Sequence, residues 1–213
     1  MSSFGILGSG AVGQALATGL HAKGHRVKIG SRTPGKLREF SATTGIESGT
    51  FADVAKWGEV LVLAVKGTAA DAALKEAGAA NLRGKLVIDT TNPITDAPPE
   101  DGVLRCFTGP GSSLMETLQR AYPDAHFVKA FNSVGSDLMV DPDFGGVKPT
   151  MFYCGDDASA KSAAAGVIAQ LGWEGADMGG ACAARAIEPL AMLWCIPGFR
   201  SNDWDHAFHL LRR

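Results

Sequence analysis

The chain has 213 residues, 46% hydrophobic and 20% charged, which is enough apolar material for a well-cored globular domain and excludes a disordered chain. A formal net charge of −2 without any basic stripe argues against nucleic acid as a partner. No apolar run approaches the roughly 20 residues that span a bilayer, and Met1-Ser2-Ser3-Phe4 carries no secretory pattern, so a cytoplasmic protein with no membrane contact is expected.

Short apolar runs alternate with helical patterns, the signature of right-handed βαβ units on a parallel sheet. Strands are predicted at residues 4–7, 27–30, 60–65, 86–89, 127–131, 151–154 and 175–177, each bounded by Gly, Pro, Asn or Asp. The fold class is therefore α/β, a doubly wound, mostly parallel sheet of the Rossmann type. Residues 1–178 would form the nucleotide-binding domain. Residues 179–213 would be a small helical extension, a dimer or acceptor-pocket element rather than an independent domain.

The first strand runs directly into Gly8-Ser9-Gly10-Ala11-Val12-Gly13, followed by a helix whose Val12, Ala15, Leu16, Gly19 and Leu20 share one face until Gly24. A GxGxxG turn between a strand and an amphipathic helix is the dinucleotide-binding fingerprint. Gly8 permits the turn, Gly10 the approach of a pyrophosphate and Gly13 the packing of helix on strand. An NAD site carries Asp or Glu at the end of the second strand for the ribose 2′-OH. Here that position reads Gly30-Ser31-Arg32-Thr33 with Lys36 beyond, and no carboxylate precedes Glu39. Hydroxyls and a guanidinium suit a 2′-phosphate, which points to NADP(H), although Arg32 and Lys36 also fit as solvated surface charges.

Ligands of open α/β sheets bind beyond the carboxyl ends of the strands. The strand-end loops Ala64-Val65-Lys66-Gly67-Thr68, Asp89-Thr90-Thr91-Asn92-Pro93 and Ala130-Phe131-Asn132-Ser133 should surround the nicotinamide and its ribose. Asn92 and Asn132 are amides able to position the ribose or carboxamide, or to form Asx turns alone. No His, Tyr or Lys stands out as a proton donor. Lys66 is the one candidate, with a backbone or solvent role as the alternative. An acceptor that needs no protein acid fits this inventory, as flavins and deazaflavins do.

Further on, Ser113 and Glu116 read as a capping box opening a helix that Pro123 closes. Asp156 or Asp157 caps another helix reaching Leu171. Residues 182–196 read as a helix apolar on more than one face, ended by Pro197 and Gly198, in which Arg185 and Glu188 could pair at i,i+3. The Gly179-Gly180 segment and the 196–199 turn would border the acceptor pocket. Cys106, Cys154, Cys182 and Cys195 show no CxxC spacing and read as free thiols, and no metal site is expected.

In order and spacing, GILGSGAVGQALATGLHAKGHRVKIGSR, LVLAVKG, DTTNP, KAFNS, YCGDD and AARAIEPLAML resemble the NADP oxidoreductase family that depends on coenzyme F-420. The same module is similar to the oxidoreductase domain of the STEAP ferric reductases. The resemblance implies direct hydride transfer between NADPH and a deazaflavin or flavin, and a homodimer. It implies NADP contacts at Ser9 to Val12, Ser31, Arg32, Lys36, the loop after Val65, Asn92 and Ala130 to Asn132. Val65-Lys66-Gly67-Thr68 departs from the Pro and bulky residue of that family, which leaves the second substrate open. A binding protein that senses NADP without chemistry, and a small imine or keto-acid reductase, are the alternatives.

Overall fold

The computed structural model describes residues 1–213. Its elements are β1 (Ser3–Leu7), α1 (Ala11–Ala22), β2 (Arg26–Gly30), α2 (Arg38–Thr44), β3 (Glu47–Gly49), α3 (Phe51–Trp57), β4 (Val60–Leu63), α4 (Ala70–Ala77), α5 (Ala79–Leu82), β5 (Leu86–Asp89), α6 (Leu114–Ala121), β6 (His126–Lys129), β7 (Thr150–Tyr153), α7 (Ala158–Gln170), β8 (Glu174–Asp177), α8 (Ala184–Ile187) and α9 (Leu190–Ser201). Six strands form a parallel sheet in the order β3-β2-β1-β4-β5-β6, the doubly wound arrangement whose order reverses between β1 and β4.

Strand alternation explains the two cores. On β1, Phe4 and Ile6 face α1 and α7 together with Val62, Ile88 and Val128. Leu7 faces the opposite side, where Leu61, Leu63, Val87 and Phe127 pack with α3, α4 and α6. Burial on both faces is why β4 and β5 read as unbroken apolar runs rather than alternating ones.

Three features differ from the sequence expectation. The edge strand β3 was not anticipated, since Glu47-Ser48-Gly49 has no apolar period and is extended only by its pairing with β2. The last two predicted strands, β7 and β8, form a separate parallel pair, joined to β6 by one bridge between Lys129 and Cys154. The helix predicted over 182–196 is two helices, because Pro189 interrupts it, and Pro197 does not end the second. α9 continues to Ser201 with Trp204 packed on Gly198, where a β-carbon would lie 2.2 Å from the indole, and it ends at Asn202 with φ 56°. No helix is long and apolar enough to cross a membrane.

Candidate functional site

The carboxyl ends of β1, β2, β4 and β5 open into a cleft made of adjoining hollows. The first, about 320 Å³, is lined by Gly8, Ser9, Gly10, Ser31, Arg32, Thr33 and Lys36 and bounded by Ala64 to Lys66. The second, about 470 Å³, shares Gly10 and Ala64 to Lys66 with it and extends over Ala11, Val12, Gly67, Thr90, Thr91 and Asn92 to Ile94, Thr95 and Asp96.

The glycine turn is built as the motif requires. Gly8 has φ 144° and a β-carbon on it would lie 1.9 Å from the Ala64 carbonyl oxygen. One on Gly13 would lie 2.1 Å from the Gly8 carbonyl oxygen, whereas one on Gly10 would meet nothing within 4 Å. Gly10 thus leaves an open cradle in front of α1. The first turn of α1 has no side-chain cap and no acidic residue, so its N–H groups and dipole are left for an anion. By contrast, α3, α6 and α7 carry caps from Thr50, Ser113 and Asp157.

At the end of β2, Ser31 is buried and its hydroxyl accepts from Ser9 Oγ (3.2 Å) and from the Thr33 N–H (3.1 Å). Arg32 and Lys36 are exposed around it and form no ion pair within the chain. Arg32, Lys36 and Lys66 line this hollow without a single carboxylate.

The other end of the cleft is held by amides and a buried ion cluster. Asn92 Nδ2 donates to the Asn132 carbonyl (2.7 Å), and Asn132 Nδ2 donates to Asn92 Oδ1 (3.0 Å) and to the Ile187 carbonyl (2.9 Å). Asn132 Oδ1 is buried without a hydrogen-bond partner. Between Ala130 and Asn132, Phe131 adopts φ 57°, a strained left-handed conformation for a bulky residue, held by full burial. Ala130, Pro93 and Asn132 lie buried behind the cleft rather than on its wall, while Asn92 lines it. The Lys66 side chain is 81% exposed, with its ammonium 3.3 Å from Asp96.

The sequence reading missed the ion cluster altogether. Lys129, at the end of β6, is fully buried between Asp89 (2.7 Å) and Glu188 (3.0 Å). Burial pulls its basicity down, but the two carboxylates outweigh that and raise it above the ordinary value. Glu188 also accepts from the N–H groups of Leu114 and Met115. The expected Arg185–Glu188 pair does not form; Arg185 reaches Glu116 instead, because Glu188 points inward. A charged residue closing an otherwise apolar strand was the signal available in the sequence, at Asp89 and again at Lys129. Cys154, beside this cluster, is pushed up to about 12, mainly by burial, which makes it inert as a nucleophile.

Strand order, glycine turn and cation-lined hollow together define a dinucleotide-binding oxidoreductase of the Rossmann class. A family model described as NADP oxidoreductase, coenzyme F-420-dependent, matches residues 3–93. A solved structure from Arthrobacter sp. FB24, a proposed F-420-dependent NADP reductase, superposes with a TM-score of 0.92 at 32% identity, covering 100% of both chains. The chain belongs to this family of NADP-dependent oxidoreductases. It is also 30% identical over 199 residues to the rat metalloreductase STEAP3, spanning 91% of this chain but 38% of that protein. An imine reductase of Streptomyces aurantiacus, at 16% identity and a TM-score of 0.70 over 93% of this chain and 63% of its own, shares the fold.

Proposed function

We propose that the chain transfers a hydride between NADP(H) and a deazaflavin such as coenzyme F-420, or a flavin, held against the nicotinamide end of the cleft. When bound, the nicotinamide ring supplies or takes up the hydride. The chain's own residues bind and orient. The turn from Gly8 to Gly13 would hold the pyrophosphate, and Ser31, Arg32, Thr33 and Lys36 the 2′-phosphate. Ala64 to Lys66 and Asn92 would hold the ribose, with Pro93, Ala130 and Asn132 shaping the wall behind the ring.

The observation that carries the cofactor choice is the hollow at the end of β2, lined by Arg32, Lys36 and Lys66 with no carboxylate. A phosphate there gains charge-assisted bonds of about 1.5–3 kcal/mol each, whereas a ribose hydroxyl lacks the carboxylate that would accept from it. Arg32→Ala is expected to weaken NADPH binding roughly ten- to a hundredfold and to leave NADH unchanged. Equal affinity of the wild type for the two nucleotides would overturn this assignment.

The acceptor class rests on the residues at the far end. No His or Tyr lines the cleft, and Lys66 is turned toward solvent and Asp96. A carbonyl would need a proton at its oxygen as the hydride arrives, whereas a flavin-type ring spreads the charge itself. Stopped-flow mixing of NADPH-loaded protein with F-420, FMN, FAD and a ferric chelate tests this. Oxidation by a deazaflavin or flavin is expected; tight NADPH binding with no oxidation by any of the four would favour a sensor. We further propose a cytoplasmic homodimer, with residues 179–213 as a helical extension of the 1–178 nucleotide-binding domain.

A further inference from the structure

Lys129 has no direct access to the cleft, yet the loop after β5 and the end of α8 are both fastened to it at the end of β6. Its ammonium donates to the Thr91 carbonyl (2.6 Å) and stands 2.7 Å from Asp89 Oδ2 and 3.0 Å from Glu188 Oε1. Its ammonium is surrounded by one hydrogen-bonded carbonyl and two carboxylate counter-charges and is wholly buried, so no ligand reaches it. Asp89 grips the same loop from the other side, with Oδ1 accepting from the Thr91 N–H (2.9 Å) and hydroxyl (2.7 Å). Every polar group of Thr91 is therefore held by this ion pair.

The hold passes onward. Asn92, the next residue, is clasped to Asn132 through the two amide bonds described above, and its carbonyl abuts Gly67, where a β-carbon would lie 1.9 Å away. Glu188 closes the circuit from the C-terminal segment, beside the Ile187 carbonyl that accepts from Asn132. The hollow at the end of β2 shares none of these contacts. Its residues are fixed by Ser9, Ser31, Gly30 and Gly49.

We propose that Lys129 is a positioning residue which, with Asp89 and Glu188, sets the nicotinamide half of the site while leaving the adenine half independent. This rests on the NADP(H) reading. A buried cation between two carboxylates is a poor general device for stability, since apolar residues of the same volume often do as well, but it fixes geometry at the point where the ends of β5, β6 and α8 meet.

The test uses two ligands that divide the site, NADP⁺ and 2′,5′-ADP, which contains only the adenine half. Isothermal titration of the full-length wild type, Lys129→Met and Glu188→Gln, with the melting temperature of each, reads the split. Lys129→Met is expected to weaken NADP⁺ binding at least tenfold and to leave 2′,5′-ADP binding within twofold of the wild type. Glu188→Gln, an isosteric change that removes one of the two counter-charges, is expected to show the same split with a smaller loss, and it decides the matter if Lys129→Met does not fold. An equal loss for both ligands, or no loss for either in a folded variant, would overturn the inference while sparing the cofactor assignment. Failure of the wild type to bind either ligand would instead overturn the NADP(H) reading, and this inference with it.

Discussion

At Gly10 and Gly13 one added methyl group would have opposite consequences. On Gly13 it would lie 2.1 Å from the Gly8 carbonyl, so α1 must move away from the turn. Overpacking of this kind costs about 1–3 kcal/mol. On Gly10 it would meet only open space, the space a pyrophosphate needs. Gly13→Ala should therefore lower the melting temperature and weaken NADP⁺ binding together. Gly10→Ala should weaken binding with the melting temperature essentially unchanged, and calorimetry of both variants separates the two effects. This division of labour was legible in the sequence, because strand, turn and helix are contiguous there. The Asp89–Lys129–Glu188 cluster was not. Its members come from three separate segments, and no local period marks a partner that only the sheet order brings near. Gly67 was equally opaque, since its reason for being glycine is a carbonyl 25 residues further along the chain, that of Asn92.

Among the elements, α6 shows how a local rule is redirected by tertiary structure. Ser113 caps it as predicted, its hydroxyl accepting from the Glu116 N–H (3.1 Å), but the Glu116 carboxylate bonds to the Ser113 hydroxyl and to Arg185 instead of completing the box at the backbone. Arg185 Nε (2.9 Å) and Nη2 (2.6 Å) fork onto the two oxygens and hold the Glu116 acid at about 2, well below the ordinary 4.5. A depressed folded value contributes stability that is complete above about pH 4.5 and is lost as the pH falls from there toward 2. Arg185→Ala should thus melt below the wild type at pH 6, with the gap closing between pH 4.5 and 2 in a thermal-melt series. A gap constant across that range would show that the fork contributes nothing. The sequence suggested Arg185 with Glu188 because both fall on one predicted helix. The pairing is absent because α8 is a single turn ended at Pro189, with Glu188 drawn into the core by Lys129.

For the whole molecule, hydrophobic periodicity revealed the parallel sheet because β4 and β5 are buried on both faces, whereas the edge strand β3, polar and three residues long, had no period to read. α9 leaves Leu193 55% exposed, an apolar side chain that the proposed dimer would cover. Multi-angle light scattering is expected to give twice the 22.1 kDa chain mass, and Leu193→Glu to return it to one chain mass. A monomeric wild type at all concentrations would remove the dimer from the proposal. The position of Glu188 also imposes an order in time. Asp89 and Lys129 emerge from the ribosome well before it, and at about 5–20 residues per second the intervening chain takes roughly 3–12 s to synthesise. Until then the nascent sheet holds a lysine with one counter-charge, and α6 lacks the carboxylate that its Leu114 and Met115 N–H groups require. The phosphate-binding half needs only β1, α1, β2 and the start of the β4 loop, so a growing chain would acquire a grip on the adenine end of its cofactor first and the ability to place the reactive ring last.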